Sequence, residues 1–231
     1  MKHLLKKLID LTITSIFFTC ILLTGMSIHE EYTEYKPYIS PLTHVQIQNL
    51  SPDIIINDTT FTGPRGVAVS IGSFMTKVGV LSMLGASENI RGAEVSIYIA
   101  SNGGSVYLAQ ELVSNLKQAR QLFGVTYTCY VERAISAAFS VVMDLCDEKV
   151  GVFEQKLCQH KSFFMTRGGY RSYPADALLT DLELANMERT TVVESMIDWL
   201  AISRPEDGSL KCFSPAEKDK YKLIDRSVIL E

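Results

Sequence analysis

Ser136 stands at the point where an apolar strand-like run is followed by a short apolar helix, AISAAFSVVM. A serine at a helix N-terminus lies beside outward-facing backbone N–H groups and the positive end of the helix dipole. Acyl transfer needs that setting, because its tetrahedral intermediate carries a negative oxygen to which the N–H of Ala137 can donate. Ser136 is therefore a candidate nucleophile. The alternative is that its hydroxyl only caps the helix.

A second donor to the same oxygen is predicted at Gly103, in the pair Gly103-Gly104 that follows a predicted strand over residues 95–100. Neither residue has a side chain, so the backbone N–H can approach a ligand closely at the carboxyl end of a parallel strand. The alternative is a simple turn, since Gly-Gly pairs are common in turns.

A base for this serine must accept a proton near neutral pH, and imidazole, with an ordinary pKa of about 6.5, is the usual one. Of the four histidines, three lie within the first 44 residues, which leaves His160 in the region predicted to fold. It follows a short apolar segment and stands 24 residues after Ser136 (160 − 136 = 24). His160 is the candidate base; alternatively, it is an ordinary surface histidine at a strand end.

The elements that must position these residues alternate between β-rich runs and segments of helical period. This alternation predicts an α/β fold of βαβ units around a largely parallel sheet. The predicted strands cover residues 67–71, 95–100, 125–131, 149–153 and 156–160. The predicted helices cover residues 72–84, 106–116, 134–143 and 174–200, and a last helix starts at Ser214-Pro215, where serine is a fitting N-cap and proline a fitting first residue.

The length of 231 residues and the 47% hydrophobic content suit one domain, predicted over residues 61–231, after an extended arm or linker over residues 28–60. There are 22 basic and 26 acidic residues, a formal charge of -4. This balance gives no electrostatic reason to expect a nucleic acid partner.

Residues 1–27 have the order of a secretory signal peptide, in which lysines precede an apolar run over residues 11–23 and small residues follow. An uncleaved membrane anchor is the alternative, because residues 8–27 are about long enough to cross a bilayer, although Asp10 would be costly there. Either reading predicts a periplasmic or otherwise extracytoplasmic protein.

Four cysteines follow that segment, at positions 129, 146, 158 and 212. An extracytoplasmic compartment would allow them to form disulfides, and four cysteines permit three pairings, which the sequence leaves open. For Cys129, in an apolar run, a small buried hydrophobe is the simpler interpretation. Their spacing shows no metal-binding pattern, and we expect neither a metal nor an organic cofactor.

Three segments in order, IYIASNGGSV, AISAAFSVV and LCQHKSFFMTRGGY, resemble the motifs of the Clp protease proteolytic subunit family, in the ClpP/crotonase superfamily. In that family a Ser-Pro-Gly-Gly strand end supplies the oxyanion hole, a helix-start Ala-Ser carries the nucleophile, and a Met-Ile-His-Gln-Pro strand end carries the base. The late segment FSPAEKDKYKLID resembles the family's Leu-Ser-Ala-Pro-Glu segment. The resemblance covers about residues 67–225. It implies repeated ββα units with a projecting handle helix, serine endopeptidase activity and a homo-oligomer.

The sequence departs from the family pattern beside two of these motifs. Asn102 replaces the proline before the glycine pair, and Lys161-Ser162 replace Gln-Pro after the histidine. The family's third catalytic residue is an aspartate shortly before the late segment, where this chain reads RPEDGSLK. We assign that role to Asp207, with Glu206 as the next choice, because a carboxylate there would orient the imidazole. The alternative is a solvated Asp-Gly turn.

The substrate implied by the same resemblance is a peptide or an unfolded polypeptide. A strand edge beside a hairpin containing Gly168 and Gly169 could pair with an extended peptide, and Gly104 is expected to contact it as well. The first hypothesis is thus an ATP-independent extracytoplasmic serine peptidase. The second is a catalytically inactive oligomeric scaffold or peptide-binding protein, since fold does not fix function. An acyl-thioester enzyme of the crotonase group ranks last, because that chemistry has no use for Ser136 and His160.

Overall fold

The structure is a computed structural model that describes residues 46, 50, 53–57, 67–69, 92, 94–165, 171–173, 175–188 and 193–229. The predicted export segment, most of the predicted arm and the predicted helix over residues 72–84 lie outside the described residues. Gly168 and Gly169 lie outside them too. Within the described ranges, no helix combines the length and the apolar character that a membrane crossing requires.

A mostly parallel sheet forms the centre of the described part of the chain. Its strands are β1 (Ile54–Asn57), β2 (Val67–Val69), β3 (Glu94–Ser101), β4 (Thr126–Ile135), β5 (Glu148–Gln159), β8 (Lys211–Cys212) and β9 (Arg226–Val228). They run in the spatial order β2-β1-β3-β4-β5-β8, and β9 pairs with β5 beside β8. Only β8 is antiparallel to its neighbour among these described pairings.

The first strand begins earlier than the sequence analysis predicted. β1 lies within the predicted arm over residues 28–60, yet it sits between β2 and β3 in the sheet. Its run of three isoleucines is fully buried, as expected for β-branched residues in a strand covered on both faces. The domain therefore includes chain that was predicted to be an extended arm or linker.

Helices α1 (Val106–Phe123) and α2 (Ala137–Leu145) connect the strands that carry the candidate site residues. Ser105 caps α1 by accepting from the N–H of Leu108, and Gly124 ends it in the left-handed conformation. The buried face of α1 joins the hydrophobic core, and the helix covers the one predicted over residues 106–116. Helix α2 is buried along most of its length, which explains why its sequence is apolar on all sides.

The two strands predicted at residues 149–153 and 156–160 form one strand, β5. Its pairing with β4 shifts register between Val131 and Arg133, and Phe153 has a left-handed backbone with φ of 54°. An extra stretch of β5 is accommodated there as a bulge. The bulge lies at the gap between the two predicted strands, and the strand continues through it to Gln159.

The helix predicted as a single element over residues 174–200 is not continuous. Helix α3 (Ala175–Glu188) is followed by α4 (Met196–Ser203), and residues 193–195 between them are not helical. The side chain of Ser195 accepts from the N–H groups of Ile197 and Asp198 and so starts α4 as an N-cap. Apolar spacing alone did not reveal this break, because both helices present apolar residues at similar intervals.

A two-stranded hairpin precedes α3, and a short capped helix precedes β9. The hairpin pairs β6 (Phe164–Met165) with β7 (Arg171–Ser172), in the segment where the sequence predicted a hairpin. Helix α5 (Pro215–Lys220) begins with Ser214, which forms a reciprocal capping box with Glu217. The prediction that Ser214 and Pro215 start a helix is therefore confirmed.

Two disulfides join the four described cysteines. Cys129 on β4 is bonded to Cys146, which follows α2, and Cys158 on β5 is bonded to Cys212 on β8. The simpler interpretation of Cys129 as an unbonded hydrophobe was wrong, although the residue is fully buried. The second disulfide lies two positions before His160, and it fixes β8 against the end of β5.

Candidate active site

Ser136 forms a sharp turn between β4 and α2. Its backbone has φ of 56° and ψ of -129°, a left-handed conformation that costs a non-glycine residue on the order of 1–3 kcal/mol. The N–H of Ser136 donates to the carbonyl of Cys158 at 2.9 Å, and the N–H of Phe139 donates to the carbonyl of Ser136 at 2.9 Å. A strained strand-to-helix turn of this kind exposes a serine side chain in front of a sheet.

The Ser136 hydroxyl does not cap the helix that it precedes. The side chain forms no capping hydrogen bond, so the alternative function considered for this residue does not describe the geometry. Ala137 is the first residue of α2, and the N–H of a first helical residue has no acceptor within its own helix. The turn therefore presents a hydroxyl and a backbone donor side by side, at the N-terminal end of a buried helix.

Gly103 packs directly against this turn. A Cβ added at Gly103 would lie 2.5 Å from the carbonyl oxygen of Ile135 and 3.0 Å from the nitrogen of Ala137. Its φ of 95° also disfavours any other residue. The backbone of Gly103 thus approaches the turn at Ser136, as predicted, and only glycine fits this close approach.

The donor within the glycine pair differs from the prediction. The N–H of Gly103 donates to the side-chain oxygen of Ser101 at 3.1 Å, so it is already engaged. Gly104 is exposed, and in the part of the chain that the structure describes its N–H has no acceptor. Gly104, to which the sequence analysis gave only a substrate contact, is therefore the better second donor beside Ala137.

His160 follows β5 at the same end of the sheet as Ser136. The neighbouring parallel strands pair Ile135 with Cys158, so the residues that follow each strand lie beside each other. The buried side chain of Gln159 connects them: its Nε2 donates to the carbonyl of Ser136 at 3.4 Å, and its Oε1 accepts from the N–H of His160 at 3.1 Å. Among the described hydrogen bonds, none joins the Ser136 hydroxyl directly to the imidazole.

The imidazole is held in one tautomer. Nδ1 of His160 lies 2.7 Å from the carbonyl oxygen of Lys161. A carbonyl can only accept, so Nδ1 carries the proton and Nε2 of the neutral ring has a free lone pair. This is the tautomer that a general base for a serine hydroxyl requires.

The pKa of His160 is lowered from its ordinary value of 6.5, chiefly because burial disfavours the charged ring. The Lys161 carbonyl raises the pKa, Arg171 and Arg204 lower it, and Asp181 raises it. The ring of Phe163 lies over the imidazole, with centroids 5.1 Å apart, and contributes to that burial. The imidazole is consequently neutral at pH 7.

The structure does not bring Asp207 to His160. Its carboxylate accepts from the N–H of Ser209 at 2.8 Å, within the exposed turn that the sequence analysis had weighed as the alternative. Hydrogen bonds from the backbone and the side chain of Ser209 lower the pKa of Asp207. Glu206, the second choice, is also exposed. Neither carboxylate occupies Nδ1, which faces a backbone carbonyl instead.

A buried polar network beside the site was not predicted from the sequence. Glu188, fully buried at the end of α3, accepts from Gln159, from Ser140 and from the indole N–H of Trp199. Arg204 is also buried, and its Nη2 lies 2.8 Å from Glu188 Oε1. The only sequence signal was the placement of polar residues within apolar segments, which does not identify their partners.

The described ranges contain no group of histidine, cysteine, aspartate or glutamate side chains arranged to hold a metal ion. The described site presents a hydroxyl, an imidazole and backbone N–H groups.

The mostly parallel sheet and the helices that connect its strands form a ClpP-like α/β fold. The catalytic domain of the ClpP protease from Plasmodium falciparum is similar, with a TM-score of 0.52 at 13% identity, covering 82% of this chain and 93% of that chain. A point mutant of ClpP1 from Listeria monocytogenes is similar with a TM-score of 0.52 at 10% identity, covering 80% of this chain and 95% of that chain.

At these identities the likeness shows the fold. No protein-family profile matches the chain, and no curated protein matches it by sequence.

Proposed function

We propose that this protein is an extracytoplasmic, ATP-independent serine peptidase that cleaves peptides or unfolded polypeptides through an acyl-enzyme. One observation carries the proposal. The strained turn at Ser136 presents a hydroxyl that does not cap the helix, beside the N–H of Ala137. At the same end of the sheet lies an imidazole in the tautomer that a general base requires.

In the proposed mechanism, Ser136 Oγ bonds to the substrate carbonyl carbon while its proton passes to Nε2 of His160. The carbonyl electron pair moves to the oxygen, which accepts from the N–H groups of Ala137 and Gly104. Collapse of this intermediate breaks the peptide bond, and His160 gives the proton to the leaving amine. A water molecule then cleaves the acyl-enzyme by the same proton route in reverse order.

The half-buried position of His160 supports its assignment as the base. Because burial lowers the pKa of His160, the ring is unprotonated at pH 7 and can accept the serine proton. The Lys161 carbonyl holds Nδ1–H, so the proton arrives at Nε2 without competition from a second tautomer.

We propose a peptide substrate because the β6–β7 hairpin lies next to the base. Phe163, at its start, contacts both the imidazole and the side chain of Tyr173, and Arg171 lies over the Phe163 ring at 4.6 Å. A hairpin fixed to the base in this way can present a strand edge to an extended peptide.

The extracytoplasmic location is supported by two disulfides, which persist in oxidising compartments and are rare in the cytosol. It is supported also by the signal-like order of residues 1–27, whether that segment is cleaved or retained as a membrane anchor. Such a location separates the protein from ATP-driven unfoldases, so we expect substrates that are short or already unfolded.

We propose a homo-oligomer assembled through α3. Leu178 and Leu179 on this helix are 58% and 64% exposed, a pair of large apolar side chains that association would cover. The double variant Leu178→Glu, Leu179→Glu should reduce the mass measured by light scattering to that of a smaller species. An unchanged mass would place the assembly surface elsewhere.

The second candidate is a catalytically inactive peptide-binding scaffold. It is favoured by two features of the described contacts: they include no hydrogen bond between the side chains of Ser136 and His160, and none between a carboxylate and Nδ1 of His160. Labelling by a fluorophosphonate probe decides between the two candidates, because the probe reacts only with an activated serine.

The test uses the full chain produced in an oxidising compartment. We expect the probe to modify Ser136, identified by peptide mass mapping, and the Ser136→Ala variant to lose all labelling. Ser114, on the exposed side of α1, provides a matched control, and Ser114→Ala should label at the wild-type rate. Hydrolysis of unfolded casein should follow the same pattern. A folded protein without labelling at Ser136 would favour the scaffold.

A further inference from the structure

Asp181 on α3 is a buried carboxylate for which the sequence analysis found no role. Its side chain is 5% exposed, and Arg204, which is fully buried, places Nε 3.3 Å from its Oδ1. The same Oδ1 accepts from the backbone N–H of Ser162 at 2.8 Å. A buried carboxylate that contacts both a guanidinium and a loop N–H is fixed in position.

The N–H of Ser162 belongs to the peptide group whose carbonyl contacts the base. The Lys161–Ser162 peptide accepts from Nδ1 of His160 through its oxygen, at 2.7 Å, and donates to Asp181 through its nitrogen, at 2.8 Å. The chain contains no cis peptide bond among its described residues. In a planar trans peptide the carbonyl and the N–H point in opposite directions. The carboxylate and the imidazole therefore lie on opposite sides of one amide.

We infer that Asp181 is a positioning residue for His160 and acts through the Lys161–Ser162 peptide group as the third member of the catalytic set. This inference rests on the proposed serine hydrolase function.

The physical basis is polarisation of the shared amide. A negative charge hydrogen-bonded to the amide N–H increases the negative charge on its carbonyl oxygen, since linked hydrogen bonds strengthen one another. That oxygen then holds Nδ1–H more strongly and stabilises the imidazolium formed when Ser136 transfers its proton. The Nδ1 proton stays on the ring throughout. A directly bonded aspartate supplies the same two effects, orientation and charge stabilisation.

The charged groups that face His160 from the surrounding elements differ in sign. Arg171 on β7 and Arg204 after α4 are both positive and lower the pKa of His160. Asp181 is the negative group that raises the pKa of His160, and it pairs with Arg204. Asp207 and Glu206 are exposed, and in the described contacts they bond to neither end of the Lys161–Ser162 peptide group.

The test is a pH titration of the His160 ring by NMR, with His160→Gln used to assign its signals. In Asp181→Asn the amide side chain can still accept from Ser162, but the charge is gone. We expect the pKa of His160 to fall below its wild-type value and the second ring tautomer to become populated. The rate of fluorophosphonate labelling at pH 7 should fall roughly tenfold. Asp198→Asn, which removes an exposed aspartate on α4, is the matched control and should change none of these quantities.

A second measurement on the wild-type chain protects the test against a variant that fails to fold. As the pH falls through the pKa of His160, the amide nitrogen and proton shifts of Ser162 should change with the same midpoint. A folded Asp181→Asn variant with the wild-type pKa and labelling rate would overturn the inference, and so would a Ser162 amide that does not follow the titration. Because the NMR readouts need no turnover, they remain decisive even if Ser136 is not labelled and the hydrolase proposal fails.

Discussion

The two aspartates considered as supports of His160 differ in their surroundings. Asp181 is buried, ion-paired with Arg204 and bonded to the loop backbone. Asp207 is exposed and, among the described contacts, bonds within its own turn. The contrast shows that proximity along a motif is a poor guide to which carboxylate acts on a histidine. Burial and the hydrogen bonds of the intervening backbone are better guides, because a charge acts strongly only where water does not screen it.

The largest effect should come from removing the guanidinium on the Asp181 side. Arg204→Met leaves Asp181 and Glu188 buried without their shared partner, which should lower the free energy of unfolding by about 3–5 kcal/mol. Urea denaturation measures this change. Arg226, whose exposed side chain pairs with Glu148 at 2.6 Å, is the matched control. Arg226→Met should cost less than about 1 kcal/mol. Equal costs for the two variants would contradict the contrast between a buried network and an exposed surface.

A smaller effect is expected from the disulfide that joins the end of β5 to β8. Cys158→Ala with Cys212→Ala opens a link between residues separated by 54 positions, which should lower the free energy of unfolding by roughly 2–4 kcal/mol. The rate of probe labelling, measured well below the denaturation midpoint, should change less than in Asp181→Asn. If the labelling rate instead fell more than in Asp181→Asn, the disulfide would be the more important support of the base.

The smallest effect should come from Asp207 itself. Asp207→Asn keeps an oxygen that can accept from Ser209, and an exposed charge is strongly screened. We expect the labelling rate of Ser136 to stay within about twofold of the wild-type rate, at both low and high salt. A loss of tenfold or more would restore the role that the sequence analysis assigned to Asp207 and would remove the distinction between the two aspartates.

Much of the candidate site itself could be predicted from the sequence. Ser136 and the glycine pair were recognisable because strand-to-helix turns and close backbone approach restrict the residue types that fit. His160 was identified by elimination, since the other histidines lie in the first 44 residues. These features depend on short stretches of chain, which a sequence shows directly.

The contacts that support these site residues could not be predicted, because they join residues far apart in the chain. Gln159 reaches Glu188, and Ser162 reaches Asp181, across intervals that no periodicity records. Ser162 was noted only as a departure from a motif, and its contribution comes from its backbone N–H rather than its side chain. The break between α3 and α4 was likewise hidden by continuous apolar spacing.

The proposed hydrolase activity depends above all on the pairing of Ser136 with His160. The decisive measurement is the rate of fluorophosphonate labelling at Ser136 from pH 5 to pH 9, in the wild-type chain and in His160→Gln. Because only the neutral ring can accept the proton and burial lowers the pKa of His160, the wild-type rate should rise with pH through a single midpoint below 6.5 and then stay level. His160→Gln should label about a hundredfold or more slowly and lose that midpoint. Labelling of His160→Gln at the wild-type rate would contradict the assignment of His160 as the base.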